Sequence, residues 1–175
     1  MIGTRASALV ALLTLAFHGA CAASAQRESA ADGITVYLLR HAEKIDESDE
    51  SGLTELGRAR AEALAGQLAH EPIVVVLASQ FPRTRLTVTP LAGRLGLDVE
   101  TIDAHAYDDV VARVRELAPG QAAVVSGHSN TIPEIAARLG VTPPLREDEV
   151  VYGALWVVRL AGGRAALERR RYGDP

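Results

Sequence analysis

Ile34-Thr35-Val36-Tyr37-Leu38-Leu39 runs directly into Arg40-His41-Ala42-Glu43-Lys44. A short apolar run rich in β-branched residues reads as a buried strand, and its polarity reverses at the carboxyl end. In an open α/β sheet, ligands gather at that end of the strands. Arg40 would offer a rigid fork of donors suited to phosphate, and His41 a ring nitrogen that can act as nucleophile or base.

The same change from apolar to polar recurs further along. Thr54 is placed to cap a helix that runs to about Ala69 on the stripe Leu56, Ala59, Ala63, Leu64 and Leu68. Ile73 to Leu77 is a second continuous apolar strand, and Ala78 to Thr84 follows it with Arg83. A helix is expected from Pro82 to about Leu95, with Pro82 in its first turn, a kink or irregularity at Pro90, and Gly96 at its end. Asp98 to Ile102 reads as a short strand, Val110 to Leu117 as a helix and Pro119-Gly120 as a turn. Ala122 to Ser126 is a fourth strand, which delivers Gly127-His128-Ser129-Asn130 before a helix from Ile132 to Leu139 closed by Gly140. Residues 141–150 read as a loop, and Gly153 to Leu160 with Arg164 to Arg171 as a β-hairpin joined through Ala161-Gly162-Gly163. This alternation predicts an α/β protein: a three-layer α/β/α sandwich with a mostly parallel sheet, to which the C-terminal β-hairpin adds antiparallel edge pairing.

The chain has 175 residues, 48% hydrophobic, enough for one domain with a packed core. Aromatic residues make up 4%, too few for stacking platforms, and a net charge of -4 does not suit a general polyanion binder, so nucleic acid is not expected as a partner. Any affinity for phosphate must then be local to a site. Arg5 followed by the apolar segment Ala6 to Phe17 reads as a secretory signal peptide over residues 1–25, too short to span a bilayer. Ala23-Ser24-Ala25 gives one cleavage site, after Ala25, and Ala20-Cys21-Ala22 another, after Ala22. A lipid anchor at Cys21 is the rival, disfavoured because His18 stands where lipoprotein motifs carry Leu, Val or Ile. The expected protein is exported to the periplasm or outside the cell, with a short lead-in at 26–33 and a single domain at 34–175. Cleavage after Ala25 removes the only cysteine, so stability rests on packing.

If the ligand is a phosphoryl group, its oxygens need charge-assisted donors and its phosphorus an in-line nucleophile. Arg40, Arg83 and His128 can supply the donors and His41 the attacking nitrogen, with the other ring nitrogen donating to a backbone carbonyl. Arg40-His41, Ser79-x-x-x-Arg83-Thr84-x-x-Thr87 and Gly127-His128-Ser129-Asn130, each after a strand and in this order, resemble the histidine phosphatase superfamily, also called phosphoglycerate mutase-like. Leu53-Thr54-x-x-Gly57 resembles its first crossover, and the likeness spans Ile34 to Leu139. It implies a phosphatase without cofactor or metal that hydrolyses a phosphomonoester or phosphohistidine. His41 would be the nucleophile that carries a covalent phosphohistidine, and Arg40, Arg83 and His128 would bind the phosphoryl group.

The sequence departs from that pattern at Ala42, where the family has Gly, and at Ser129, where the phytase and acid phosphatase branch has its proton-donating Asp. Asp103 and Asp108, in the segment where the mutase branch draws its acidic donor, are the candidates for that role. The chain has no insertion long enough for a capping domain, which disfavours a mutase and leaves an open pocket. Two other functions fit parts of the pattern: a non-catalytic phosphate-binding protein on the same fold, and a metal-dependent hydrolase using His41, Glu43 and His128, which the two arginines oppose. Other residues have plainer readings. Ser79 and Ser129 are expected to cap helices or turns, Glu43 and Lys44 to form solvated rim, and His105 to be a loop residue. Trp156 is expected to pack the hairpin and Arg169-Arg170-Arg171 to guard an exposed edge.

Overall fold

The computed structural model describes residues 33–173; the signal segment and residues 26–32 of the lead-in lie outside them. Six strands form one sheet in the order β3-β2-β4-β1-β5-β6. Strands β1 (Ile34–Arg40), β2 (Ile73–Ala78), β3 (Val99–Thr101) and β4 (Ala122–Gly127) pair in parallel, and β5 (Ala154–Ala161) runs antiparallel to both β1 and β6 (Arg164–Arg171). Helices α1 (Glu55–Leu68), α2 (Pro82–Leu95), α3 (Tyr107–Arg115) and α4 (Thr131–Arg138) connect them. The fold is the expected α/β sandwich, with a mostly parallel sheet and antiparallel pairing added by the hairpin.

Alternation along the strands explains the three layers. Val36, Leu38, Val75, Leu77 and Val125 pack under α3 and α4, whereas Tyr37, Leu39, Val76, Val124 and Leu155 pack under α1 and α2. The chain therefore leaves β1 towards one face and β4 towards the other, although the two strands are neighbours. Such a reversal opens a crevice at their carboxyl ends.

Local chemistry sets the element boundaries. Thr54 caps α1 by accepting from the Gly57 amide at 3.0 Å. Helix α2 has Pro82 in its first turn, continues through Pro90, and ends at Gly96 with φ 67°. The hairpin turns on Gly162 and Gly163, both at positive φ, the geometry a two-residue turn requires. Most boundaries differ from expectation by a residue or two, and two of the differences bear on the site. Strand β1 includes Arg40, which pairs with Gly127 in the ladder. Helix α3 starts at Tyr107 rather than Val110, because Asp108 and Asp109 suit the positive end of the helix dipole but break the apolar pattern. Residues 141–150 contain a single 3-10 turn, Glu147–Glu149.

Gly57 explains the Leu53-Thr54-x-x-Gly57 motif physically. The first turn of α1 presses on the backbone of Glu43, and a Cβ at Gly57 would collide with the Glu43 carbonyl oxygen. At Gly66 in the same helix a Cβ would meet only the Arg94 guanidinium, at 3.6 Å. Gly57→Ala is expected to destabilise the fold by about 1–3 kcal/mol, and Gly66→Ala to be neutral or stabilising by about 0.5–1 kcal/mol. Urea denaturation of the two variants checks this, and equal effects would contradict the close approach.

Candidate active site

Strand ends β1 and β4 place two histidines side by side. The His41 amide donates to the Gly127 carbonyl at 2.9 Å, extending the ladder one residue past β1, and the rings of His41 and His128 stand edge to face with centroids 5.3 Å apart. Helix α2 holds the loop from the other side: the Ala42 amide donates to Thr87 Oγ1 at 2.9 Å, and Thr87 in turn donates to the Arg83 carbonyl at 2.7 Å. Arg40, His41, Arg83 and His128 all line one cleft of about 290 Å³. Its floor adjoins the amino ends of α2 and α4, where helix dipoles favour an anion.

The two arginines are held by aromatic rings rather than carboxylates. The Arg40 guanidinium lies 4.3 Å from the Tyr152 ring centroid and Arg83 lies 4.4 Å from that of Phe81. Arg83 Nη1 also donates to the carbonyls of Ser48 and Asp49, both at 3.2 Å. The Nε atoms of Arg40 and Arg83 are buried and have no partner among the described residues. Among the described residues, no Asp or Glu lines the cleft. An anion with several acceptors is what such a donor set lacks.

His41 Nδ1 lies 2.7 Å from the Ala42 carbonyl, which can only accept, so the proton of the neutral ring sits on Nδ1 and Nε2 keeps its lone pair. Burial, and then the positive charges of Arg40 and Arg83, pull the His41 pKa down to about 4. Burial, with His41 and the arginines after it, brings His128 to about 3. Both rings are neutral at pH 7.

Ser79 has a more specific position than a helix cap. Its Oγ lies 2.9 Å from His128 Nε2 and 2.9 Å from Thr84 Oγ1. Thr84 donates to the backbone carbonyls of Phe81 and Ser79, at 2.7 and 3.0 Å. Its only hydroxyl proton is thereby used, so Ser79 donates to Thr84 and accepts from His128 Nε2, which fixes the ring and tautomer of His128.

Glu43 is likewise not rim. It forms a close pair with Arg60 of α1, Nη2 to Oε1 2.7 Å and Nε to Oε2 3.0 Å, with side chains 16% and 5% exposed. Arg60 also donates to the carbonyls of Tyr172 and Gly173, which ties the cleft loop to the chain end. Burial alone would raise the Glu43 carboxyl, and the hydrogen bond from Arg60 holds it below its ordinary value. Ser129 lines the cleft wall, and Lys44 lines it while pairing with Glu47. Trp156 is buried against the sheet with Arg169 over its ring, as expected. Asp108 pairs with Arg138 away from the cleft, and Asp103 accepts from Gln80 and the His105 amide. Tyr152, Phe81 and His105 are cleft or second-layer residues that no motif announced.

Residues 36–105 match the model of the histidine phosphatase superfamily (branch 1), a span that contains Arg40, His41 and Arg83 and ends before His128. The family model spans less than half of the chain, and the solved structures below share its fold. The protein histidine phosphatase SixA complexed with tungstate is similar at TM-score 0.62 and 22% identity, covering 78% of this chain and 96% of its own. A protein from Nakamurella multipartitia described as a phosphohistidine phosphatase SixA is similar at TM-score 0.57 and 25% identity, covering 82% and 96%. The alpha-ribazole phosphatase of Shigella flexneri is similar at TM-score 0.61 and 16% identity, covering 80% and 96%. No curated protein sequence matches the chain significantly.

The depressed pKa of His41 has a measurable consequence. On acidification the unfolded chain binds the proton first, near pH 6.5, and the folded protein resists until about pH 4. The stability contributed by the neutral ring is present above pH 6.5 and is lost as pH falls towards 4. Ring-proton NMR of the free protein is expected to place the His41 midpoint near 4; a midpoint near 6.5 would contradict the site electrostatics.

Proposed function

We propose that the protein is a phosphatase that transfers the phosphoryl group of a phosphomonoester or phosphohistidine to His41 and then releases it to water. The observation that carries this reading is the His41 ring. It is neutral, its Nδ1 is committed to the Ala42 carbonyl, and its Nε2 lone pair is available in a cleft supplied with guanidinium donors. In this reading Arg40 and Arg83 bind the phosphoryl oxygens and stabilise the charge that builds in transfer, and His128, held by Ser79 through Nε2, joins them through Nδ1–H when the charge of the bound anion protonates its ring. The similar SixA structure is a complex with tungstate, a tetrahedral oxyanion like phosphate, which is in keeping with an oxyanion as ligand.

A metal-dependent hydrolase is disfavoured by a specific contact: Glu43, which it would need as a ligand, is engaged by Arg60. The open cleft, without a capping domain, favours phosphate on an exposed or bulky substrate. Residues 1–25 support export, so the proposed site of action is the periplasm or the cell exterior, which amino-terminal sequencing of the mature protein and cell fractionation test.

The enzyme assay uses 4-nitrophenyl phosphate. Wild-type protein is expected to turn it over and His41→Ala to show no turnover above background. Arg83→Ala is expected to lose about 10²–10³-fold in kcat, the range for a lost charge-stabilising donor. Equal turnover by wild type and His41→Ala would overturn the mechanism. Phosphate binding by wild type without any turnover would favour the non-catalytic reading. Activity abolished by a chelator and restored by zinc would favour the metal-dependent one.

A further inference from the structure

We propose that His105 is the catalytic acid that protonates the leaving group, a role that rests on the phosphatase reading above. An in-line transfer to His41 places the leaving atom on the side of the phosphorus away from that ring, where a positioned proton donor is needed. Neither carboxylate suggested by the sequence is available for it. Asp108 is held by Arg138 and its side chain is 92% exposed. Asp103 is exposed and does not line the cleft, and its carboxylate accepts from Gln80 Nε2 at 3.3 Å and from the His105 amide at 2.9 Å. Asp103 therefore braces the loop that carries His105.

His105 itself lines the cleft, from the loop between β3 and α3, at a strand end different from those that supply His41 and His128. His128 lines the same cleft, which makes His105 a neighbour of the proposed phosphate pocket. The ring is oriented: Nδ1 lies 3.1 Å from the Tyr107 hydroxyl, and the two rings stand edge to face at 6.0 Å. That leaves Nε2 as the nitrogen for a substrate. The other two cleft histidines are committed, His41 as nucleophile and His128 by Nε2 to Ser79, and Lys44 is drawn off towards Glu47. Imidazole is also the side chain best suited to give and take a proton near neutrality.

The step balances as follows. In the imidazolium form, His105 donates Nδ1–H to Tyr107 and Nε2–H to the leaving atom. The bond from His41 Nε2 to phosphorus forms as the bond from phosphorus to the leaving atom breaks, with the electron pair staying on that atom and the His105 proton joining it. In the second step water attacks phosphorus, its proton passes to the neutral His105, and His41 departs with its electron pair.

The test is the dependence of kcat/KM on leaving-group pKa across aryl and alkyl phosphates, for wild type, His105→Gln and Asp103→Asn. His105→Gln is expected to lose activity increasingly as the leaving group worsens, from a few-fold for 4-nitrophenyl phosphate to about 10² or more for an alkyl phosphate, the usual worth of general acid catalysis. Asp103→Asn is expected to keep the wild-type slope. An equal loss by His105→Gln across the series, no loss, or the steepened slope appearing in Asp103→Asn instead would overturn the role of His105. Failure of the phosphatase reading shows separately, as absent wild-type turnover of 4-nitrophenyl phosphate or turnover that survives His41→Ala.

Discussion

The parallel pairing of β1 with β4, carried one residue past β1 by the bond from the His41 amide to the Gly127 carbonyl, is the constraint on which the site depends. Both strands are buried on both faces, so their register is fixed by the core and a slip of one residue would turn every side chain to the wrong layer. With the register fixed, His41 and His128 arrive together at the sheet edge. The rest of the cleft is built around them: α2 grips the loop through Thr87, α1 through Arg60 and Glu43, and Ser79 orients the second ring.

The charge distribution in the cleft is lopsided. Two guanidinium groups lie partly buried with no carboxylate among the lining residues, and each keeps an unpartnered Nε–H. Burial of unpaired donors is unfavourable, and aromatic faces offset only part of it. The site is thus prepared for an anion, and burial, with the same positive field adding to it, keeps His41 unprotonated. Donor capacity and nucleophile basicity are two results of one arrangement. Acidic residues near the cleft are turned to structural work instead, Glu43 in the pair with Arg60 and Asp103 in the loop that carries His105.

Strands β1, β2 and β4 and the four residues that meet at the cleft were legible because each of these strands changes abruptly from apolar to polar at its carboxyl end. Arg40, His41, Arg83 and His128 all sit at or just after such a change. Glu43 was not legible as an inner residue because its partner lies 17 positions away, although a signal existed: Arg60 stands on the same helix stripe as Gly57, Leu64 and Leu68, a face that α1 buries. Tyr152 gave no signal, since it comes from an irregular segment and meets Arg40 across 112 positions. The start of α3 was missed because its first turn is set by the helix dipole rather than by apolar spacing. Periodicity reveals which face is buried; contacts between side chains on separate loops appear only when the sheet brings those loops together.

The most direct measurement is the regiochemistry of the covalent intermediate. Wild-type protein would be quenched in base during turnover of an aryl phosphate, digested, and mapped by mass spectrometry and phosphorus NMR. Since Nδ1 of His41 is committed to the Ala42 carbonyl, the phosphoryl group is expected on Nε2 of His41. Label on Nδ1, on another residue such as Ser79, or turnover with no labelled intermediate under conditions that trap one would contradict nucleophilic catalysis by His41.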